Sequence, residues 1–305
     1  MFSEAIGRLW KIGKLGIRAP VPEPGRHGLA VVLIARNEAA RIGEWAGFHL
    51  AAGARHLYVY DNGSSDATLP VLRGAVPFER LTVTPWRQLL SEHRTGREIH
   101  NQVLAYAHAA GNFGGAYRWM AFIDVDEFLV PTGAPSLDGA LAHLGPDVRF
   151  VSLPWHMFGR SGHAAAPAGG VVRNYLLRAA DPMSGVRGVR QFKCLADPCH
   201  LTAVRVHSME VDGHSDTWND RGKRVPLARR GRPEFYSVEH LQLNHYYTGS
   251  EQELAAKIGR GPNLAGKRPA YRRKVLRTVR NIESAVVEDR AALDFLRRAG
   301  GSEAG

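Results

Sequence analysis

Three stretches decide the fold: LAVVLIARNE (29–38), HLYVYDNGSSD (56–66) and WMAFIDVDEF (119–128). Each begins as an apolar run and breaks off into polar and acidic residues. Leu29–Ile34, His56–Tyr60 and Trp119–Ile123 therefore read as buried strands, with Leu81–Val83 a further strand. Between them lie helical patterns: Ile42, Trp45, Phe48, His49 and Ala52 form one face within 38–52, a second helix starts at Thr68–Leu72, and Glu98–Ala110 is a third. Strands alternating with helices imply crossover connections, hence an α/β fold on a mainly parallel central sheet with flanking helices. Ligands bind beyond the carboxyl ends of such strands. The clusters at 35–38, 61–66 and 124–127 all follow strand ends, so they are expected to converge on one rim.

Working outward, the 305-residue chain is 44% hydrophobic and 23% charged, enough to bury a large core and too ordinary for wholesale disorder. The net charge of +11 invites an anionic partner: nucleic acid, phospholipid headgroups or a phosphorylated substrate. Two cysteines, Cys194 and Cys199, make no disulfide framework and fit a reducing compartment. No run reaches the roughly 20 apolar residues of a membrane span, and no signal peptide or solenoid repeat is expected. Residues 1–18 place Phe2, Ile6, Leu9 and Trp10 at helical spacing among Arg8, Lys11, Lys14 and Arg18. This reads as a basic amphipathic helix, fit to pack on the body or to lie on an anionic membrane. Gly7 and Gly13 weaken it. Ala19–His27, with three prolines, reads as a linker.

Beyond Pro131 the pattern loosens. Ser136–Leu144 reads as a helix, Phe150–Leu153, Leu201–Val206 and Leu241–Tyr247 as strands, and 208–234 as polar loop. Ser250-x-x-Glu253 opens a helix with a capping box. Tyr271–Leu296 reads as one helix carrying Arg272, Arg273, Lys274, Arg277 and Arg280. The expected organisation is an N-terminal segment and linker (1–27), a central domain (28–262) and a basic helical extension (263–305).

In an extended backbone Asp124 and Asp126 share a face, and two close carboxylates repel unless a cation sits between them. Hard oxygen ligands suit Mg²⁺ or Mn²⁺, which would in turn hold a diphosphate. A lone D-x-D also occurs as a solvated acidic turn; its position directly after an apolar strand favours the metal reading. Residues 61–66 suit an Asx turn leading to a helix cap, and Arg36-Asn37-Glu38 suits a helix start. The Cys194-x4-Cys199-His200 spacing is a weak zinc signal, and buried free thiols are the default. No G-x-G-x-x-G, Walker A or G-x-S-x-G motif supports a dehydrogenase, a P-loop NTPase or an α/β-hydrolase.

Ala35-Arg36-Asn37-Glu38, Glu44-Trp45, His49, Tyr60-Asp61-Asn62-x-Ser64-x-Asp66 and Phe122–Phe128 together resemble glycosyltransferase family 92 and its bacterial relatives in the family 2-like group. Trp155-x-x-Phe158-Gly159-x-Ser161-Gly162, Lys193, His207, Asn244–Tyr247 with Ser250, and Lys257-x-x-Arg260-Gly261 follow in the family's order. The resemblance spans about 29–262. It implies a GT-A fold, a UDP-sugar donor, Mn²⁺ or Mg²⁺, and inverting transfer, hexosyl in kind, to a glycan or lipid-linked acceptor in polysaccharide biosynthesis. It also implies that the central domain divides near 130 into a nucleotide half and an acceptor half. By this resemblance Arg36, Asn37, Glu38, Asp61 and Asp124 meet the nucleotide, and Lys257 and Arg260 neutralise its diphosphate. Asp124, Asp126 and His245 hold the metal, with His207 the other histidine available. The base falls among Glu210, Asp212 and Asp216, with Asp212 the choice. Trp155 and Phe158 offer an acceptor platform or simple core packing. The expected location is cytoplasmic, with peripheral contact to the inner membrane face through the basic segments. The rival reading is a nucleic-acid- or membrane-binding protein on an inactive GT-A-like fold, but aromatic residues interleave poorly with the basic helix and no nucleic-acid module appears.

Overall fold

The computed structural model describes residues 11–261 and 268–300. The first half runs β1 (Leu15–Gly16), β2 (Leu29–Ala35), α1 (Ile42–Ala51), β3 (His56–Asp61), α2 (Thr68–Ala75), β4 (Leu81–Pro85), α3 (Asn101–Phe113) and β5 (Trp119–Phe122). The second runs β6 (Glu127–Pro131), α4 (Leu137–Leu141), β7 (Phe150–Met157), α5 (Gly170–Asn174), β8 (Leu177–Ala179), β9 (Phe192–Ala196), β10 (Leu201–Val204) and β11 (Met209–Val211). It continues through β12 (Asp216–Trp218), β13 (Arg224–Pro226), β14 (Leu241–His245), α6 (Glu251–Arg260), α7 (Arg268–Glu283), β15 (Val286–Glu288) and α8 (Ala291–Arg298).

A 10-stranded sheet carries the molecule, in the order β13-β12-β7-β9-β5-β2-β3-β4, with β14 pairing β7 and β6. Strands β5, β2, β3 and β4 are all parallel, as the alternating pattern requires. The sheet as a whole is mixed, with parallel pairings in the majority. β9 runs antiparallel to both β5 and β7, and β6 runs antiparallel to β14. The sequence hid β9 because Lys193 interrupts its apolar run, although every residue of the strand is buried. A set of parallel strands joined to a mixed set fits the GT-A fold that the family resemblance implies.

The core follows the sequence closely. Leu29 through Leu33 are fully buried in β2, and α1 lays Trp45 and Phe48 over the sheet, where Phe48 meets Phe128 and Phe295 at 5.2 and 5.5 Å between ring centres. Other expectations need correction. Residues 1–10, with Phe2, Ile6, Leu9 and Trp10, lie outside the described residues, but 11–18 are extended rather than helical. Leu15 and Gly16 pair with Val204 and Ala203 of β10. The linker is clamped: Arg26 donates to both Asp197 oxygens at 2.7 and 2.8 Å. The 208–234 loop contains β11, β12 and β13. The long tail helix is two, α7 and α8, because β-branched Val286 and Val287 pair with β8 instead. Valines and an isoleucine of α7 (Val275, Val279, Ile282) are buried, so this helix is packed against the domain.

His49 shows how a polar residue enters this core. It is fully buried. Its Nδ1–H donates to the Trp45 carbonyl at 2.8 Å, and its Nε2 accepts from the Leu129 amide at 3.2 Å. A neutral ring satisfies both bonds, whereas a proton on Nε2 would face another N–H. Burial accordingly pushes the ring down to about 4 from its ordinary 6.5. Burial also pushes His156 down to about 3 and His207 to about 4. A depressed folded value means the unfolded chain takes up these protons first, so stability is full above pH 6.5 and declines as the pH falls toward 4. Urea unfolding across that range is expected to show the decline, and His49→Gln to make it shallower. An unchanged slope would show that His49 does not titrate in this way.

Candidate functional site

The rim forms as expected. The Asn62 amide donates to the Ala35 carbonyl at 2.8 Å. Asn37 adopts a left-handed backbone (φ 56°), suited to asparagine. Its side-chain oxygen accepts from the Ser65 amide at 2.8 Å, and the Asn37 amide donates to the Ser64 hydroxyl at 3.1 Å. Asp66 reaches the Ala39 amide at 3.2 Å, and Thr68 takes the Glu38 amide at 2.7 Å. The 35–38 and 61–66 clusters are thus stitched into one unit. Asp61 turns its carboxylate onto the Ser64 amide (3.1 Å), and Asp66 makes the anticipated Asx turn by accepting from the Thr68 amide at 2.9 Å. From α3, Asn101 bonds Asn62 at 3.0 Å and Gln102 bonds Asp124 at 2.7 Å, which ties the third cluster in.

Asp124 and Asp126 part company, because the backbone turns between β5 and β6 and the extended-strand alternation does not apply. Asp124 faces Lys193, whose Nζ lies 2.9 Å from Oδ2. Lys193 is fully buried, with Glu127 on its other side at 3.5 Å. The nearer carboxylate is the counterion. Burial pushes Glu127 well above the usual carboxylate range, with Lys193 opposing. Burial would lower Lys193, but Asp124 and Glu127 hold it well above its ordinary value. The closer pair is Asp124–Lys193, and Glu127 Oε2 also accepts from the Asp124 amide at 2.7 Å.

Asp126 instead faces His245 at the end of β14. Its Oδ2 lies 3.3 Å from His245 Nε2 and 3.9 Å from Lys257 Nζ. The Tyr246 amide fixes the turn by donating to the Asp126 carbonyl at 2.8 Å. Burial tends to raise the Asp126 carboxyl, but His245, Lys257 and Arg41 outweigh it and hold it well below the usual range. Arg41 is anchored by Glu253 at 2.8 Å and by the Tyr246 carbonyl at 3.2 Å. Lys257 reaches the Tyr247 carbonyl at 2.6 Å and lies over the Tyr247 ring at 3.8 Å. Glu38 belongs to the same field: burial and Asp126 push it up to about 7, while Arg41, Arg260 and Lys257 oppose. Arg36 and Asn37 are exposed on the rim and Arg260 is exposed at the end of α6.

Among the described residues no group of three His, Cys, Asp or Glu side chains gathers as a metal cage. One carboxylate and one imidazole do meet, at Asp126 and His245. His207 does not join this pair: its Nδ1 donates to the Phe192 carbonyl at 3.1 Å. Trp155 stands between the two histidines, 4.3 Å from His245 and 5.6 Å from His207 between ring centres. It is half-buried and positioned to line the site. Phe158 is not a platform. It is buried and packs against Tyr246 at 4.7 Å, so the core-packing reading holds for it.

Asp212 is also displaced from its expected role. It binds Arg149 and, at 2.9 Å, His200. Arg149 precedes Phe150, which pairs with Ala196 at the far end of β9, whereas Lys193 and Asp124 lie at the other end. Asp212 therefore sits across the sheet from the rim. Glu210 pairs with Lys14 at 2.6 Å and Asp216 with Arg224 at 2.6 Å. Both cysteines are free; Cys194 is buried and its thiol pushed up to about 12. Sequence reasoning gave no role to Lys193, Arg41 or Gln102. The signal for Lys193 was a lone charge inside an apolar five-residue run.

The sequence profile of glycosyltransferase family 92 matches residues 33–281, running past the boundary expected at 262 into α7. A family 92 protein of Oryza sativa subsp. japonica is 30% identical over 162 residues, covering 51% of this chain and 26% of its own. One of Ricinus communis is 29% identical over 184 residues, covering 56% and 31%. The matched segment thus spans about a quarter to a third of these relatives' length. Among solved structures, glucosyl-3-phosphoglycerate synthase from Mycobacterium tuberculosis, in complex with Mn²⁺, UDP and glucosyl-3-phosphoglycerate, shares 20% identity over 58% of each chain with a TM-score of 0.32. A mycobacterial protein shares 16% identity over 84% of this chain and 74% of its own, with a TM-score of 0.35.

Removing the buried cation tests the electrostatic arrangement. Lys193→Met leaves Asp124 without its counterion, and is expected to cost about 3 kcal/mol in urea unfolding, the low end for a broken buried pair because Asp124 is partly exposed. A cost under about 1 kcal/mol would mean that the pair contributes no more than a surface bridge.

Proposed function

The chain belongs to glycosyltransferase family 92, and from that premise we propose that it transfers a sugar from a UDP-sugar donor to a glycan or lipid-linked acceptor, with inversion. The observation that carries the reading is the meeting of Asp126 and His245 at 3.3 Å on the rim where the parallel strands end. A carboxylate oxygen and an imidazole nitrogen suit Mn²⁺ or Mg²⁺, and two protein ligands suffice for an ion that also takes substrate phosphates and water. These two residues would hold the ion, and Asp124, committed to Lys193 and Gln102, would not. When bound, the ion supplies positive charge against the developing diphosphate leaving group.

The remaining chemistry falls to the chain. Lys257 and Arg41 already converge on Asp126, and Arg260 lies within electrostatic reach of Glu38 and Lys257. Together they provide fixed cations for the diphosphate. The Asp61 to Asp66 turn, crosslinked to Asn37, offers backbone and side-chain acceptors to a nucleoside. Trp155 provides an apolar wall for a sugar ring. The general base is a carboxylate reaching the rim rather than Asp212.

Calorimetric titration of UDP with and without Mn²⁺ tests the proposal. Binding is expected only with the metal, and Asp126→Ala is expected to lose at least about a hundredfold in transfer with its circular dichroism unchanged. Full metal-dependent activity in that variant would remove the site assignment. Absence of UDP binding in either condition would remove the UDP donor.

A further inference from the structure

The segment after β4 leaves the sheet at the same rim and does work that the transferase reading does not absorb. Trp86 anchors its first end: it is buried, its amide donates to the Asp61 carbonyl at 2.7 Å, and its indole N–H reaches the Asn101 carbonyl at 3.2 Å. From there the chain forms a small hairpin. Ser91 pairs with Glu98, the Glu92 amide donates to the Arg97 carbonyl at 2.9 Å, and the Ile99 amide donates to the Leu90 carbonyl at 2.8 Å. The tip is held by the Glu92 carboxylate, which accepts from the Arg94 and Thr95 amides at 2.7 and 2.8 Å. This is an ordered projection with its backbone bonds made.

Its side chains are disposed unusually. Leu89 is 85% exposed and Leu90, its neighbour, 48%. Two adjacent leucines in water on a well-bonded hairpin have an unmet hydrophobic demand. The same segment carries Arg87, His93 and Arg94, all exposed. The two acidic residues of the hairpin are engaged: Glu92 in capping the tip, and Glu98 with Lys11. Lys11 and Ile12 run alongside, where Ile12 bridges Ile99. Exposed leucines on a hairpin whose free charges are basic match an anionic bilayer surface, whose headgroups would meet the arginines while the apolar side chains enter the acyl boundary.

We propose that the Arg87–Glu98 hairpin is a docking element for an anionic lipid surface, holding the rim that bears Asp61 and Asp124 toward the bilayer. The reading does not depend on the transferase activity. The basic face of α7 is the competing surface: Arg272, Arg273, Lys274, Arg277 and Arg280 are exposed there, but a single apolar residue, Leu276 at 38%, accompanies them.

Co-sedimentation of the full chain with vesicles of phosphatidylcholine alone, and of phosphatidylcholine mixed with phosphatidylglycerol, tests this at low and high salt. Binding is expected only to the mixed vesicles, falling as salt rises. The double variant Leu89→Ser, Leu90→Ser, at exposed positions, is expected to bind about tenfold more weakly, and Leu89→Phe, Leu90→Phe to bind at least as well as the unaltered chain. Arg272→Glu with Arg273→Glu is expected to matter less than the serine pair. Four results would overturn the proposal: no binding to mixed vesicles at low salt, equal binding to both vesicle types, undiminished binding by the serine variant, or loss confined to the α7 variant. A serine variant that instead dissolves a self-associated species, with no vesicle binding by the unaltered chain, would assign the leucines to a contact between copies.

Discussion

A lysine ammonium with no access to water sets the terms for the catalytic end of this sheet. Lys193 comes from β9, an antiparallel strand inserted between β5 and β7, and its charge is compensated by Asp124 at the end of β5. Desolvating such a cation is costly, so its counterion must be held within bonding distance. The pairing fixes where the β5–β6 turn goes and frees Asp126 to look the other way, toward β14. One ion pair thus joins the parallel half to the mixed half and separates the two aspartates that the sequence places two residues apart.

The parallel half was legible because each strand announces itself twice, by an apolar run and by the polar cluster that ends it. Leu29–Ala35 and His56–Asp61 emerge within a residue of their expected ends. The mixed half was legible in part: Phe150–Leu153 and Leu241–Tyr247 were expected as strands and form β7 and β14, but β9, β12 and β13 were missed because they are short and carry charges. Phe192–Ala196 carries Lys193, and β12 and β13 span three residues each amid arginines. Periodicity has no purchase on segments of that length.

The site divides the same way. Asp126, His245 and Lys257 were chosen from the sequence and the fold brings them together, though no spacing rule links residues so far apart. The alternation argument failed for Asp124 because it assumes extended backbone where the chain turns. Asp212 fell on the wrong side of the sheet because 208–234, read as a featureless loop, gave no indication that β11 runs away from the rim. Phe158 failed for a simpler reason: an aromatic residue near a site is as useful to the core as to a ligand.

The two-residue strand β1 has a consequence for the behaviour of the whole chain. Leu15 and Gly16 cover the outer edge of β10, and the Ile17 amide donates to Thr202 at 3.0 Å. The same stretch is tied at the rim through Ile12 and at the opposite end through Arg26 and Asp197. A strand this short adds little cohesion, but it occupies backbone groups that would otherwise be open to pairing with another molecule. Detachment of the segment would open the outer edge of β10 to pairing with another molecule while the core stayed intact.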